Sequence, residues 1–169
     1  MASIRTARED EADVLAEIGL RAWEMAMLSV GETRPMLENA SRAFLNFTHS
    51  RWITISVVEM GGVPAGWAAR ERLDENITDF WIDPQYQRRG LGSALLIEVE
   101  EELRSHGFEK VALETHARNR AAVDFFEKHG YGVNWLTVSY NPKLDRDIQT
   151  IGLSKQLVEP AGTGYGQEF

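Results

Sequence analysis

The stretch Gln87-Arg88-Arg89-Gly90-Leu91-Gly92 lies between an apolar, strand-like run ending Phe80-Trp81-Ile82-Asp83-Pro84 and an amphipathic segment from about Ser93 to His106. A glycine-rich turn between a strand and a helix has a definite physical use. Gly90 and Gly92 let successive backbone N–H groups turn toward one concave point, and the helix that follows adds its unpaired first-turn N–H groups and positive dipole end. An anion is expected there. Arg88 and Arg89 flank the glycines in a chain of net charge -8, so a local basic spot stands on an acidic background and suits a pyrophosphate.

Spacing separates this turn from other phosphate-binding motifs. A P-loop closes on Gly-Lys-Ser/Thr, whereas Gly92 is followed by Ser93-Ala94, with no lysine for the β- and γ-phosphates. A dinucleotide turn reads Gly-x-Gly-x-x-Gly. Here Leu95 holds the third small position, although Glu114 ends the next strand-like run at a suitable distance, so nicotinamide dinucleotide binding stays as an alternative.

A second block follows, Asn119-Arg120-Ala121-Ala122-Val123-Asp124-Phe125-Phe126-Glu127-Lys128-His129-Gly130-Tyr131. With Gln87, Gly90 and Gly92 after Asp83-Pro84, this chain resembles the GNAT superfamily of N-acetyltransferases over residues 77–133. The resemblance implies an α+β, three-layer fold. Its mixed, mostly antiparallel sheet would have about seven strands and about four flanking helices, splayed between the fourth strand (77–82) and the fifth (110–115). It also implies that acetyl-CoA is co-substrate and that its pantetheine arm lies in the splay. Backbone groups near Trp81 and Ile82 would hold that arm, the turn from Gln87 through Arg88, Arg89, Gly90, Leu91 and Gly92 to Ser93 would hold the diphosphate, and Asn119 would hydrogen-bond the arm or cap its own helix. A strand N–H near residues 80–82 would meet the oxyanion. One departure stands out. Where many GNAT enzymes carry a tyrosine four residues before the glycine of the closing helix, this chain has Phe126, which has no proton to give. Tyr131, Tyr140 or water would then serve the departing thiolate, and Phe126 reads as a wall of the cofactor site.

An alkylamine acceptor is protonated at neutral pH, with a pKa of about 10, so a nearby carboxylate helps release the free amine. Asp79, inside an otherwise apolar run, is the first candidate; Glu114 is second, and Glu24 in the first helix third. Each also reads as an ordinary solvated or paired residue. The chain has no cysteine, which removes disulfides, thiolate metal sites and a cysteine nucleophile, so direct transfer to the amine is expected. The histidines, His49, His106, His116 and His129, lack metal-ligand spacing, and no metal is expected. Glu98, Glu100, Glu101 and Glu102 read as a solvated helix face, and Trp23, Met25 and Met27 as core or acceptor pocket.

With 169 residues, 43% apolar and 26% charged, the chain suits one globular domain over residues 1–157, with a flexible tail at 158–169. The acidic balance argues against nucleic acid. The lack of an apolar leader, or of any apolar run near 18 residues, argues against a membrane and for the cytoplasm. Related folds often pair, so a homodimer is compatible. Along the chain, periodicity predicts a strand at 4–7 and a helix at 8–30 with its stripe at Val14, Ile18, Ala22 and Met25, ended by Gly31. A helix at 35–47 carries Met36, Ala40, Phe44 and Phe47. Strands at 52–60 and 63–70 join at Gly61-Gly62, and an antiparallel strand follows at 77–82. A helix striped by Leu91, Leu95, Val99 and Leu103, a strand at 110–115, a helix from Asn119 to His129 and a hairpin of 133–140 with 148–153 complete the order. The expected function is acetyl transfer to a primary amine, on a small metabolite or a peptide or protein. The alternative is a catalytically weak acyl-CoA-binding or sensing module, motivated by Phe126.

Overall fold

The computed structural model describes residues 2–29, 34–142 and 145–158. Among the described residues eight strands and four helices follow in the order β1 (Ala2–Thr6), α1 (Ala12–Ala26), α2 (Arg34–Arg51), β2 (Ile55–Met60), β3 (Val63–Ala69), β4 (Asn76–Ile77), β5 (Asp79–Ile82), α3 (Leu91–Ser105), β6 (Lys110–His116), α4 (Arg120–Lys128), β7 (Gly132–Asn141) and β8 (Arg146–Gln156). They form two four-stranded sheets, ordered β1-β2-β3-β5 and β4-β6-β8-β7, in which only β4 and β6 run parallel.

The strand expected over 77–82 is two strands, and the division makes the splay. Asn76 and Ile77 pair parallel with Ala112 and Leu113, after which the chain changes partner and Asp79 to Ile82 pair antiparallel with β3. Thr78 fixes the switch. Its N–H donates to Ala69 O at 2.8 Å, its hydroxyl to the same oxygen at 3.2 Å, and the Glu71 N–H donates to that hydroxyl at 3.1 Å. Beyond Leu113, β5 and β6 therefore have no ladder between them.

Alternation along β2 and β3 puts one core on each sheet face. Val58, Ala65 and Ala68 join Leu91, Leu95, Leu96, Val99 and Leu103 beneath α3, whereas Ile55, Val57, Trp67 and Ala69 join Leu15, Ile18, Trp23, Ala40 and Phe44 beneath α1 and α2. The expected stripe of α3 is the buried one. That of α1 is rotated: Leu15, Ala16, Ile18, Gly19, Ala22 and Trp23 are buried, while Val14 and Met25 are exposed. Gly19 is there because a Cβ would stand 2.6 Å from Cε1 of Phe44, so it sets how closely α1 and α2 approach.

Other boundaries moved for local reasons. Trp52–Thr54 is a 3-10 turn rather than the start of a strand, with the Thr54 hydroxyl donating to Arg51 O at 2.8 Å, a local bond that competes with a ladder. The helix expected to stop at Phe47 continues to Arg51, and Thr48, fully buried, bonds back to Phe44 O at 3.0 Å. The Gly61-Gly62 turn and the hairpin of β7 with β8 form as expected. Gly31 and the tail beyond Val158 lie outside the described residues.

Glu100 departs from the solvated face assigned to it. It sits four residues from Leu96, on the same helical stripe, and is buried. Its carboxylate accepts from the Tyr131 hydroxyl at 2.7 Å and from Lys155 Nζ at 3.1 Å, which ties α3 to the end of α4 and to β8.

Candidate active site

The turn before α3 is assembled from its own side chains. Asp83, buried, accepts from Gln85 N–H at 3.1 Å and from the Arg21 guanidinium at 2.7 Å, so one carboxylate starts the 3-10 turn Pro84–Tyr86 and anchors α1 to the end of β5. Arg88 then takes φ 64 and Gly90 φ 77. A left-handed arginine is uncommon and carries strain that the surrounding turn must hold. Gly90 is the N-cap of α3, and among the described residues no side chain caps that end. The first-turn N–H groups are thus available to an acceptor from outside the chain.

These donors open on a cavity of about 570 Å³ between β5 and α4. Phe80, Trp81 and Ile82 form one wall, the segment from Gln87 through Arg88 and Gly90 to Ser93 a second, and α4 a third through Asn119, Phe125, Phe126 and Lys128. Every cofactor residue expected from the sequence lines it except Arg89, whose guanidinium lies 5.6 Å from the centre of the Tyr86 ring. Gly92 has a steric reason to be glycine. A Cβ there would stand 3.3 Å from the Phe125 ring and 3.7 Å from Ile82, inside the cavity. Asn119 caps α4, its side-chain oxygen accepting from Ala122 N–H at 3.2 Å, and also faces the cavity.

Ser93 adds a polar link. His129 Nδ1 lies 2.8 Å from Phe125 O, a partner that can only accept, so Nδ1 donates there, and Nε2 shares a hydrogen bond with the Ser93 hydroxyl at 2.9 Å. The His129 ring thus joins α4 to the start of α3.

A second cavity, of about 420 Å³, lies at the start of β5 and has Asp79 and Glu114 in its lining. Phe44 and Phe47 of α2 wall it, with Glu71, Thr78, His116 and Tyr140 around the carboxylates. Asp79, 8% exposed, accepts from the Trp81 indole N–H at 3.0 Å. Trp81 therefore lines the first cavity while its nitrogen engages a carboxylate of the second. That is the physical connection between the two.

The remaining candidates fall elsewhere. Tyr131 lines neither cavity; burial, and then its bond to Glu100, push its phenol far above the ordinary range. Tyr140 lines the second cavity, but its hydroxyl donates to Asp145 at 2.6 Å, which also raises its pKa. Glu24 lines neither cavity, and Trp23 and Met27 are buried core. Lys128, Tyr86, Ala22, Ala26, Ala121 and Ala122 were missed. Only Lys128 had a signal, three residues past Phe125 on the same helix face. Among the described residues no three of His, Cys, Asp and Glu stand close enough to hold a metal ion, and no helix is long and apolar enough to cross a membrane.

Known proteins share both the sequence and the architecture. The model of the Acetyltransferase (GNAT) family matches residues 18–131. The [ribosomal protein bS18]-alanine N-acetyltransferase of Escherichia coli (strain K12) is 30% identical over 107 residues, 63% of this chain and 72% of that protein. Solved structures of similar fold include a GCN5-related N-acetyltransferase from Rhodopseudomonas palustris, with TM-score 0.77 and 18% identity over 92% of this chain and 96% of that one. The PaiA N-acetyltransferase from Thermoplasma acidophilum, in complex with coenzyme A, has TM-score 0.74 and 15% identity over 92% and 99%. The split strand, the uncapped glycine turn and the match through both motif blocks converge, and the chain belongs to the acetyltransferase (GNAT) family.

Proposed function

We propose that this enzyme is an acetyl-CoA-dependent N-acetyltransferase that passes an acetyl group directly to a primary amine. The observation that carries the reading is the approach of two cavities at β5, one lined by an uncapped helix start and the other by two carboxylates, with Trp81 lining the first and its indole N–H bonded to Asp79 of the second. The first fits coenzyme A on physical grounds. N–H groups from Gly90 to Ser93, with Arg88 and Lys128 on the same walls, suit a diphosphate, and the edge of β5 away from β3 suits an extended amide chain. Acetyl-CoA, when bound, supplies an activated thioester acyl group.

The chain's own residues do the rest. An amine entering the second cavity meets Asp79 and Glu114, and one of them, directly or through water, takes the proton that keeps the nitrogen from attacking. A β5 N–H on the side away from β3 stabilises the negative oxygen that develops. Phe126 and Tyr131 give no proton to the departing sulfur, the one lacking a hydroxyl and the other holding Glu100. A thiol of ordinary pKa, about 8.5, leaves tolerably as thiolate. With no cysteine in the chain, a thioester on the enzyme has no nucleophile to form on. A peptide or protein amine is favoured over a small metabolite, because the E. coli relative is named for an alanine of a ribosomal protein.

The test is thiol release from acetyl-CoA in the presence of an amine library that includes short peptides with free N-termini. Amine-dependent release of one thiol per acetyl transferred is expected. Coenzyme A binding without amine-dependent release would instead identify an acyl-CoA-binding module.

A further inference from the structure

His116 lines two cavities at once. On one side is the carboxylate cavity, where Glu71, Asp79 and Glu114 stand with no lysine or arginine among its described walls. On the other is a neighbouring cavity of about 260 Å³, walled by Arg118, Arg146, Asp147, Ile148 and Gln149. Two guanidiniums against one carboxylate make that second space positive. The chain therefore presents a negative chamber and a positive one joined across one imidazole.

The imidazole is fixed in one form. Arg118 N–H donates to His116 Nδ1 at 3.1 Å, so the ring proton is on Nε2, which is left to donate. Burial, and then the charges of Arg118 and Arg146, hold His116 below its ordinary pKa, which keeps the ring neutral. Ala117 N–H donates to Gln149 O at 3.0 Å and holds this turn against β8, so Arg118 and Arg146 stay on the same side. Among groups on neighbouring elements, Asp147 opposes the two arginines, and Asp79 and Glu114 stand across the ring from them.

Spacing decides what spans the two chambers. Glu114 and His116 point to the same face of β6, about 6.6 Å apart at the strand rise of ~3.3 Å per residue, and Arg118 lies beyond them. The α-ammonium and α-carboxylate of a single amino acid are separated by only about one such step and cannot bridge that interval. An extended peptide advances by the same ~3.3 Å per residue, so a side chain on its second or third residue can.

We propose that the acceptor is a peptide N-terminus with an aspartate or glutamate within its first three residues. Its ammonium lies at Asp79 and Glu114, its acidic side chain at Arg118 and Arg146, and His116 Nε2–H donates to a carbonyl between them. The inference rests on the amine-acetylating function proposed above and adds the charge pattern of the substrate.

The experiment compares Ala-Ala-Glu-amide, Ala-Ala-Gln-amide and Ala-Ala-Lys-amide as acceptors at saturating acetyl-CoA. KM is expected to rise in that order, about fivefold at each step as for a partly exposed ion pair, with kcat little changed and the differences shrinking at high salt. Arg146→Glu, on an exposed position, is expected to invert the ranking of the Glu and Lys peptides, and Arg118→Gln to reduce it. Equal KM for the Glu and Gln peptides, or a ranking that Arg146→Glu leaves alone, overturns the charge pattern while the transferase stands. No thiol release with any amine, together with no calorimetric binding of the three peptides to the CoA-loaded protein, overturns both.

Discussion

Replacing Gly92 by alanine separates cofactor binding from folding. Gly92 is the second residue of α3 and has a helical backbone, so alanine is permitted there and is favoured over glycine by about 0.8–1 kcal/mol in a helix interior, less in the first turn. Against this, the new Cβ stands 3.3 Å from two carbons of the Phe125 ring, which must give by a few tenths of an ångström. Crowding of that size costs about 1 kcal/mol. The two effects nearly cancel, and the melting temperature is expected to stay within about 3 °C of the parent. The methyl group nevertheless projects between Phe125 and Ile82, into the space assigned to coenzyme A. An overpacked contact there costs about 1–3 kcal/mol, which raises Kd roughly 5- to 150-fold. Gly90→Ala gives the contrasting result: nothing lies within 4 Å of the added carbon, but φ +77 penalises it by about 1–2 kcal/mol, so it loses roughly 2–8 °C. Isothermal titration with coenzyme A and thermal melts of both variants measure this. A folded Gly92→Ala protein that binds coenzyme A as tightly as the parent would refute the reasoning.

Three further outcomes are expected. Asp79→Asn or Glu114→Gln, whichever removes the base, lowers kcat/KM by about 10²–10⁴ near pH 7 and flattens the acid limb of the pH–rate profile, with coenzyme A affinity unchanged; two fully active variants would rule out a carboxylate base. Tyr131→Phe leaves buried Glu100 with Lys155 and one fewer donor, a loss of about 1–2 kcal/mol read by denaturant titration, with kcat of the folded enzyme maintained. Because the folded Tyr131 phenol has its pKa raised, its contribution is full below the unfolded value near 10 and lost at higher pH, so the variant is also expected to show a shallower alkaline loss. His116 has its pKa lowered, so the unfolded chain takes the proton first and stability falls as pH drops below about 6.5; His116→Gln is expected to lessen that acid slope in denaturant titrations at pH 7.5 and 5.5.

The parts of the site that were legible are those where local chemistry restricts residue choice. Gly90 and Gly92 are required by a left-handed cap and a ring contact, Asn119 by a helix start, and Asp79 stands out in an apolar run. The break at Thr78 was hidden, because threonine is a good strand residue and the partner switch depends on Ala69 and Leu113, remote in sequence. The same applies to Glu100. Its neighbours Glu98, Glu101 and Glu102 make it look solvated, and only Tyr131 and Lys155, brought from other elements, make its burial tolerable. The rotated face of α1 shows a similar limit, since both possible stripes contain apolar residues and packing against Phe44 and Trp67 chose between them.

The central claim is that main-chain donors at the start of α3 hold the diphosphate of coenzyme A. Amide chemical shifts followed by NMR during a coenzyme A titration test it most directly. The largest changes are expected at residues 88–94, with a second group at 119–126. Saturable binding that leaves the amides of Gly90, Leu91, Gly92 and Ser93 unmoved would contradict it.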